Sequence, residues 1–347
     1  MTMSNDDNNT VNITESSEND SVIIDSVLKQ LPDIVRFVQQ ICDKKIQSVY
    51  SRKKIGGYEG QPPLLLKLLS NLPLKEDIEL LRVKNEHVEV YCKAYEEILS
   101  PIGFEPRYFR NYRANDLIQD PKRGISIIFA DLVNHFVGKT YELVNEESFI
   151  SEQRNRSERS KHQLDRAIEK IDELRENFAK VLVLRLDLGM LKNQTHLVED
   201  IKCFKKYFET YLKKLRSMKV HMIAYIWKLE YGKNKGYHYH TLFFLDGNQH
   251  QKDEILGDAF GKAWVEVTQE KGAYYNCNAS KHRYKRLGIG MLHHDNQEGF
   301  NALKEIAGYF TKVDQFLFLP SSERGKTFGV SQKLASKRKS GRPRRGT

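Results

Sequence analysis

Cysteine is scarce in this chain. Cys42, Cys92, Cys203 and Cys277 are the four among 347 residues, and no two stand at a ligand-like spacing. That excludes a local zinc knuckle and argues against a disulfide-held scaffold. Long uncharged apolar runs are missing too: none approaches the roughly 20 residues needed to span a bilayer. The start carries no basic-then-apolar leader. These absences lead us to expect a soluble, intracellular, cytoplasmic protein with no membrane partner. Each end lacks one sign of charge. Residues 1–20 hold five acids (Asp6, Asp7, Glu15, Glu18, Asp20) and no base, whereas residues 331–347 hold seven bases and no acid. Both read as disordered tails, 1–20 acidic and 333–347 basic. With a formal net charge of +10, the body between them is basic in its own right, which favours a polyanionic partner.

What is present divides by texture. Residues 21–145 are expected to be mostly α-helical: Ile23, Val27, Leu31, Ile34 and Val38 repeat at helix spacing, and Leu64–Leu69, Ile78–Val83 and Val88–Ile98 continue the pattern. Residues 146–179 are dense in charge, with Leu164, Ile168, Ile171, Leu174 and Phe178 on one side, and predict one long amphipathic helix. Residues 180–332 then alternate. A strand is expected at Lys180–Leu188, a helix at His196–Lys219 and two strands across 220–245. A helix at about Gln251–Glu270, a strand around Tyr284–Leu292 and a helix at about Gln297–Val313 follow. The order β-α-β-β-α-β-α predicts an α+β fold, an antiparallel sheet flanked by helices.

The most informative stretch is Glu230–Leu245. Side chains on a strand repeat every two residues, so His238 and His240 share a face. Gly232, Asn234 and Gly236 supply turn chemistry. With the loop at Gly232–Gly236, Tyr231 pairs with Tyr237 and Glu230 opposes His238, Cβ atoms about 5 Å apart. Glu230, His238 and His240 can then converge on one divalent ion. A slip of one residue would turn Glu230 to the other face. Two satisfied core histidines are the plainer alternative for such a pair. His293 and His294 are adjacent, face opposite ways on a strand, and make poor joint ligands.

The last helix carries Gly-Tyr-Phe-Thr-Lys at 308–312, with Phe300, Leu303, Ile306, Ala307 and Phe310 as its apolar face. On a helical wheel Tyr309 falls beside that face and Lys312 lies one turn on. A phenol ionises near pH 10 and is a poor nucleophile unless its phenolate is stabilised. A nearby ammonium or a metal acting on the phosphoryl group would help.

With both motifs in view, residues 180–332 resemble the HUH endonucleases, the initiators and transposases of rolling-circle elements. Gly-Tyr-His-Tyr-His-Thr-Leu-Phe-Phe-Leu-Asp-Gly (236–247), Gly-Tyr-Phe-Thr-Lys-Val-Asp-Gln (308–315) and Lys-Thr-Phe-Gly (326–329) are similar to the inovirus-type replication initiator family, with its YagK/YfjJ C-terminal-like relatives. One departure is Tyr239 between the histidines, more polar than usual.

The resemblance implies a Rep-type domain that binds Mg²⁺ or Mn²⁺ through Glu230, His238 and His240. Tyr309, assisted by Lys312, would nick single-stranded or hairpin DNA through a 5′-phosphotyrosine and later rejoin it. A bacterial or phage-encoded, nucleoid-associated replication initiator is implied, with a host helicase as a candidate partner. Leu184–Leu188 would be the family's first motif, in which Arg185 and Asp187 contact DNA or brace the site; a buried ion pair or an edge position is the plainer alternative. Lys337, Arg338, Lys339, Arg342, Arg344 and Arg345 surround a Gly-Arg-Pro core that resembles an AT-hook. A non-specific basic tail would look the same. The competing function is a DNA-binding protein, repressor or origin marker, that keeps the fold without the chemistry. A His-x-His oxygenase or hydrolase of another fold would explain the histidines but not the charge or the tyrosine helix.

Overall fold

The computed structural model of the protein describes residues 10–61, 63–80, 83–191, 201–232, 236–311, 319–320 and 326–332. The chain forms two compact units. One contains the residues up to Arg156 with the strand Leu319–Pro320; the other contains Ser157–Asp314 and the strand Phe328–Val330.

The first unit is built on helices α1 (Thr10–Lys44), α2 (Pro63–Leu69), α3 (Lys75–Leu80), α4 (Glu86–Ala94) and α5 (Phe129–Val144). Val27, Leu31, Ile34 and Val38, spaced for one helical face, are all buried. Helix α1 begins at Thr10, inside the segment expected to be disordered. Once a helix is nucleated, each further residue adds one hydrogen bond, and neither glycine nor proline interrupts residues 10–31. The unit is not purely helical. Two hairpins enter it: β1 (Tyr50–Arg52) with β2 (Tyr58–Gly60), and β4 (Leu117–Asp120) with β5 (Ile125–Ile128). Glycines at positive φ close both turns, Gly56 and Gly57 in the first and Gly124 in the second. A short β3 (Val83–Lys84) pairs with β11 (Leu319–Pro320).

Helix α6 (Glu147–Asn177) matches the predicted amphipathic helix, but it does not stand apart as a segment of its own. From Ser157 on it belongs to the second unit, where Ala167, Ile171, Leu174 and Phe178 enter the core.

The second unit is α+β. Its sheet contains β6 (Lys180–Met190), β7 (Met222–Gly232), β8 (Gly236–Asp246), β9 (Gly272–Asn276), β10 (Gly290–His293) and β12 (Phe328–Val330), in the order β10-β6-β8-β7-β12, with β9 also on β6. All its pairings are antiparallel. Helices α7 (Ile201–Ser217) and α8 (Asp253–Val267) cover one face, and α6 and α9 (Gln297–Phe310) cover the other. Alternation along β8 separates the two layers: Leu242 and Phe244 join the α6/α9 core, while Tyr239 and Phe243 meet Phe208 and Tyr211 of α7.

Between α8 and α9, where a single strand around Tyr284–Leu292 was expected, the structure has two. Strand β10 occupies only Gly290–His293, and β9 precedes it. The turn from α8 into β9 is made by Gln269 and Glu270 at positive φ, so no glycine marks it in the sequence. Strand β6 changes partner at this point, from β10 along Lys180–Val183 to β9 along Leu186–Met190. Asn278 fills the gap. Its side chain accepts from Arg185 N–H (2.8 Å), donates to the Val183 carbonyl (2.9 Å) and donates to Asp253 (3.0 Å). The Cys277 N–H closes the remaining Arg185 carbonyl at 3.1 Å. The backbone groups of Val183 and Arg185 are thereby satisfied where β6 passes from one neighbour to the other.

Candidate metal centre

The hairpin β7–β8 has the register its turn residues predict: Tyr231 pairs with Tyr237 and Glu230 with His238. Gly236, at φ +63°, starts the returning strand in a conformation that side chains resist. Glu230, His238 and His240 therefore share the face toward α9, and Tyr239 points the other way, stacked on Phe208 at 3.9 Å. The polar residue between the histidines is spent on packing against α7.

The three groups converge. Glu230 Oε2 lies 3.2 Å from His240 Nε2 and 3.9 Å from His238 Nε2, and the two Nε2 atoms are 3.2 Å apart. Each histidine has its other nitrogen committed. His238 Nδ1 meets the Gly236 carbonyl at 3.0 Å, and His240 Nδ1 meets Asp187 Oδ1 at 2.6 Å. Both partners only accept, so both Nδ1 atoms carry hydrogen and both Nε2 atoms face the same space, as lone pairs once His240 gives up the proton it holds toward Glu230. Two lone pairs at that separation repel unless a cation or a shared proton lies between them. Cis ligands of one divalent ion at about 2.1 Å stand roughly 3.0–3.4 Å apart; the two 3.2 Å separations about His240 Nε2 fall in that range, and the Glu230–His238 separation, 3.9 Å, is wider. Among the described residues this is the one cluster of His, Cys, Asp and Glu in which three ligand atoms come together. His293 and His294 are exposed and join no such cluster.

The charges follow from burial. His238 and His240 are nearly inaccessible. Burial works against a charged His240, but the Asp187 and Glu230 hydrogen bonds outweigh it and push its pKa up to about 9. Burial, then the neighbouring His240, lowers that of His238. Burial alone would raise Glu230, yet its His240 hydrogen bond and the surrounding positive charge bring it below the usual value. One proton held by His240 between two carboxylates is the arrangement a divalent ion would displace.

Helix α9 delivers Tyr309. Asn296 caps it, accepting from Gly299 N–H at 2.9 Å, and Phe300, Leu303, Ala307 and Phe310 anchor it on the sheet. From α6, Arg175 donates to the His294 carbonyl (2.7 Å) and Lys304 pairs with Asp172 (2.6 Å), which fixes the helix laterally. Phe310 then stacks on the His240 ring at 5.4 Å, and the Tyr309 ring stands edge-on to it at 5.9 Å. Tyr309 remains 48% exposed, so a substrate can reach it. Burial raises its pKa, Glu230 and Asp187 raise it further, and Arg185 opposes them. The Arg185 guanidinium lies 5.5 Å from the Phe310 ring.

The structure thus brings together Glu230, His238, His240, Asp187, Arg185 and Tyr309. Lys312 and the tail residues Lys337, Arg338, Lys339, Arg342, Arg344 and Arg345 lie outside the described residues. One neighbour escaped the sequence reading. Lys228, 4% exposed, sits across the ladder from His240 and lends positive charge to Glu230. Its signal was the same period of two that marks the histidines.

Among the described residues no helix is long and apolar enough to cross a membrane. No curated protein and no solved structure matches the chain. A family model does, over residues 142–331, a span that takes in α6, the sheet, the three converging ligands and Tyr309. By that match the chain belongs to the YagK/YfjJ C-terminal domain family.

Proposed function

We propose that the second unit is a metal-dependent nicking and joining enzyme for single-stranded or hairpin DNA, serving replication initiation of a rolling-circle element. The observation that carries this reading is the placement of an exposed phenol 5.9 Å from an imidazole whose Nε2 faces a second imidazole and a carboxylate. Two imidazoles and one carboxylate leave coordination positions for water and phosphate oxygens, which suits Mg²⁺ or Mn²⁺. The bound ion would polarise the scissile phosphoryl group and offset the carboxylate charge that raises the Tyr309 pKa.

The protein's own groups do the rest. Phe310 and the sheet hold the helix so that Tyr309 Oη is presented to the phosphate. Arg185, on the same face two residues before Asp187, supplies a cation to the phosphate oxygens. As the Tyr309 Oη–P bond forms, the P–O3′ bond breaks. The phenolic proton is lost and the departing 3′ oxygen takes one up, so nothing is oxidised or reduced. The 5′-phosphotyrosine polarity and the later rejoining are what the HUH resemblance implies, with Lys312 as a further cation.

Incubation of the full chain with hairpin-forming single strands and Mn²⁺ should yield a covalent protein–DNA adduct resolved on a denaturing gel. Tyr309→Phe should abolish the adduct and retain DNA binding. An adduct that survives in Tyr309→Phe removes this tyrosine from the mechanism. A wild-type protein that binds these strands but never forms one leaves only a binding role.

A further inference from the structure

The first unit carries a surface that the nicking reading does not use. Hairpin β1–β2 is held at its base by helix α5. Asn134 accepts from the N–H groups of Val49 and Tyr50, both at 2.9 Å, and donates to the Tyr50 carbonyl at 2.8 Å. Tyr58 Oη donates to Asp131 at 2.7 Å. The tip is preformed as well. Lys53 N–H donates to the Gly57 carbonyl (2.9 Å) and Gly56 N–H to the Lys53 carbonyl (3.2 Å), with both glycines at positive φ. This braced turn projects Arg52, Lys53, Lys54 and Ile55, all exposed, with Ile55 at 100%. Among the described residues no carboxylate lies within ion-pair reach of Lys53 or Lys54. The one acid of the hairpin, Glu59, sits back on the ladder opposite Ser51.

A rigid ribbon tipped with cations around a single bare β-branched side chain has the chemistry of a groove-binding wing. The cations meet the two phosphate backbones, and the apolar residue presses between base steps. One isoleucine offers too little apolar area for stable insertion into a bilayer, where binding scales with the area buried. We propose that the β1–β2 hairpin of the first unit is a duplex-DNA contact, with Lys53 and Lys54 on the phosphates and Ile55 entering the groove. It gives the chain a hold on double-stranded DNA that involves no residue of the metal centre.

The test uses the full-length protein in EDTA, so that success or failure of strand nicking does not enter. Binding to a labelled 30-base-pair duplex is followed by fluorescence anisotropy across a salt series. Each phosphate-bound cation contributes about 0.9 to the slope of log K against log salt. Lys53→Ala/Lys54→Ala should therefore reduce the slope by about 2. Ile55→Ala should weaken binding about five- to tenfold at fixed salt, the effect of half-burying the three carbons removed. An unchanged slope and affinity in the double variant overturns the proposal. So does a loss seen on anionic lipid vesicles while duplex binding is unaltered, which would make the hairpin a membrane contact.

Discussion

Replacing Asp187 probes the metal centre without touching a ligand. Its carboxylate accepts from His240 Nδ1 at 2.6 Å and so holds the imidazole in the tautomer that turns Nε2 toward Glu230 and His238. Hydrogen bonds to a charged acceptor contribute about 1.5–3 kcal/mol and neutral ones about 0.5–1.5 kcal/mol. Asp187→Asn keeps an acceptor but loses the charge, a difference of about 1.4 kcal/mol, or tenfold in metal affinity. Asp187→Ala loses both and leaves the ring free to turn, so its affinity should fall about 100-fold, the upper range for partners that orient a ligating histidine. The assay is Mn²⁺ titration of the purified protein by electron paramagnetic resonance, with thermal unfolding as a check that each variant is folded. The order wild type, Asn, Ala should recur in adduct yield at limiting Mn²⁺ and converge at saturating Mn²⁺. Affinities within twofold across the folded series would show that Asp187 does not orient His240, and the tautomer argument would fail.

Three further outcomes follow from the packing. Asn278→Ala removes the partners of the Val183 carbonyl and the Arg185 N–H where β6 changes neighbour, and should cost about 2–4 kcal/mol in urea unfolding; a loss under 0.5 kcal/mol would deny that stitch its role. Gly308 lies in the last turn of α9 with open space where a Cβ would go, so Gly308→Ala should stabilise the fold by about 0.4–1 kcal/mol, chiefly by restricting the unfolded chain. If the substrate strand passes beside Tyr309, the same methyl should slow adduct formation, and an unchanged rate would place the strand elsewhere. His87 is buried in the first unit, and burial, helped by Arg156 and opposed by Glu86, lowers its pKa from 6.5 to about 4. The unfolded chain then binds more protons between those values, so stability is full above pH 6.5 and declines as pH falls toward 4, by about 3 kcal/mol. His87→Gln should flatten that dependence in pH-resolved denaturation, and an unaltered slope would move the acid sensitivity to other groups.

Read alone, the sequence determined whatever is governed by local periodicity. The hairpin register, the shared face of Glu230, His238 and His240, the opposite face taken by Tyr239 and the extent of α6 all follow from a period of two or 3.6 and from turn glycines. Those constraints act within a few residues, so no distant contact was needed to read them. The tertiary structure decided the rest. That Asp187 rather than solvent meets His240 depends on β6 lying beside β8, a pairing between segments more than fifty residues apart in the chain. The stacking of Phe310 on His240, and hence the reach of Tyr309, depends on α6 and the sheet clamping α9. Strand β9 pairs with the edge that β6 offers it, after a turn in which Gln269 and Glu270, residue types that do not signal it, take positive φ. Side chains of the right type are written in one dimension, but a site forms only when separate elements are packed closely enough to set their distances.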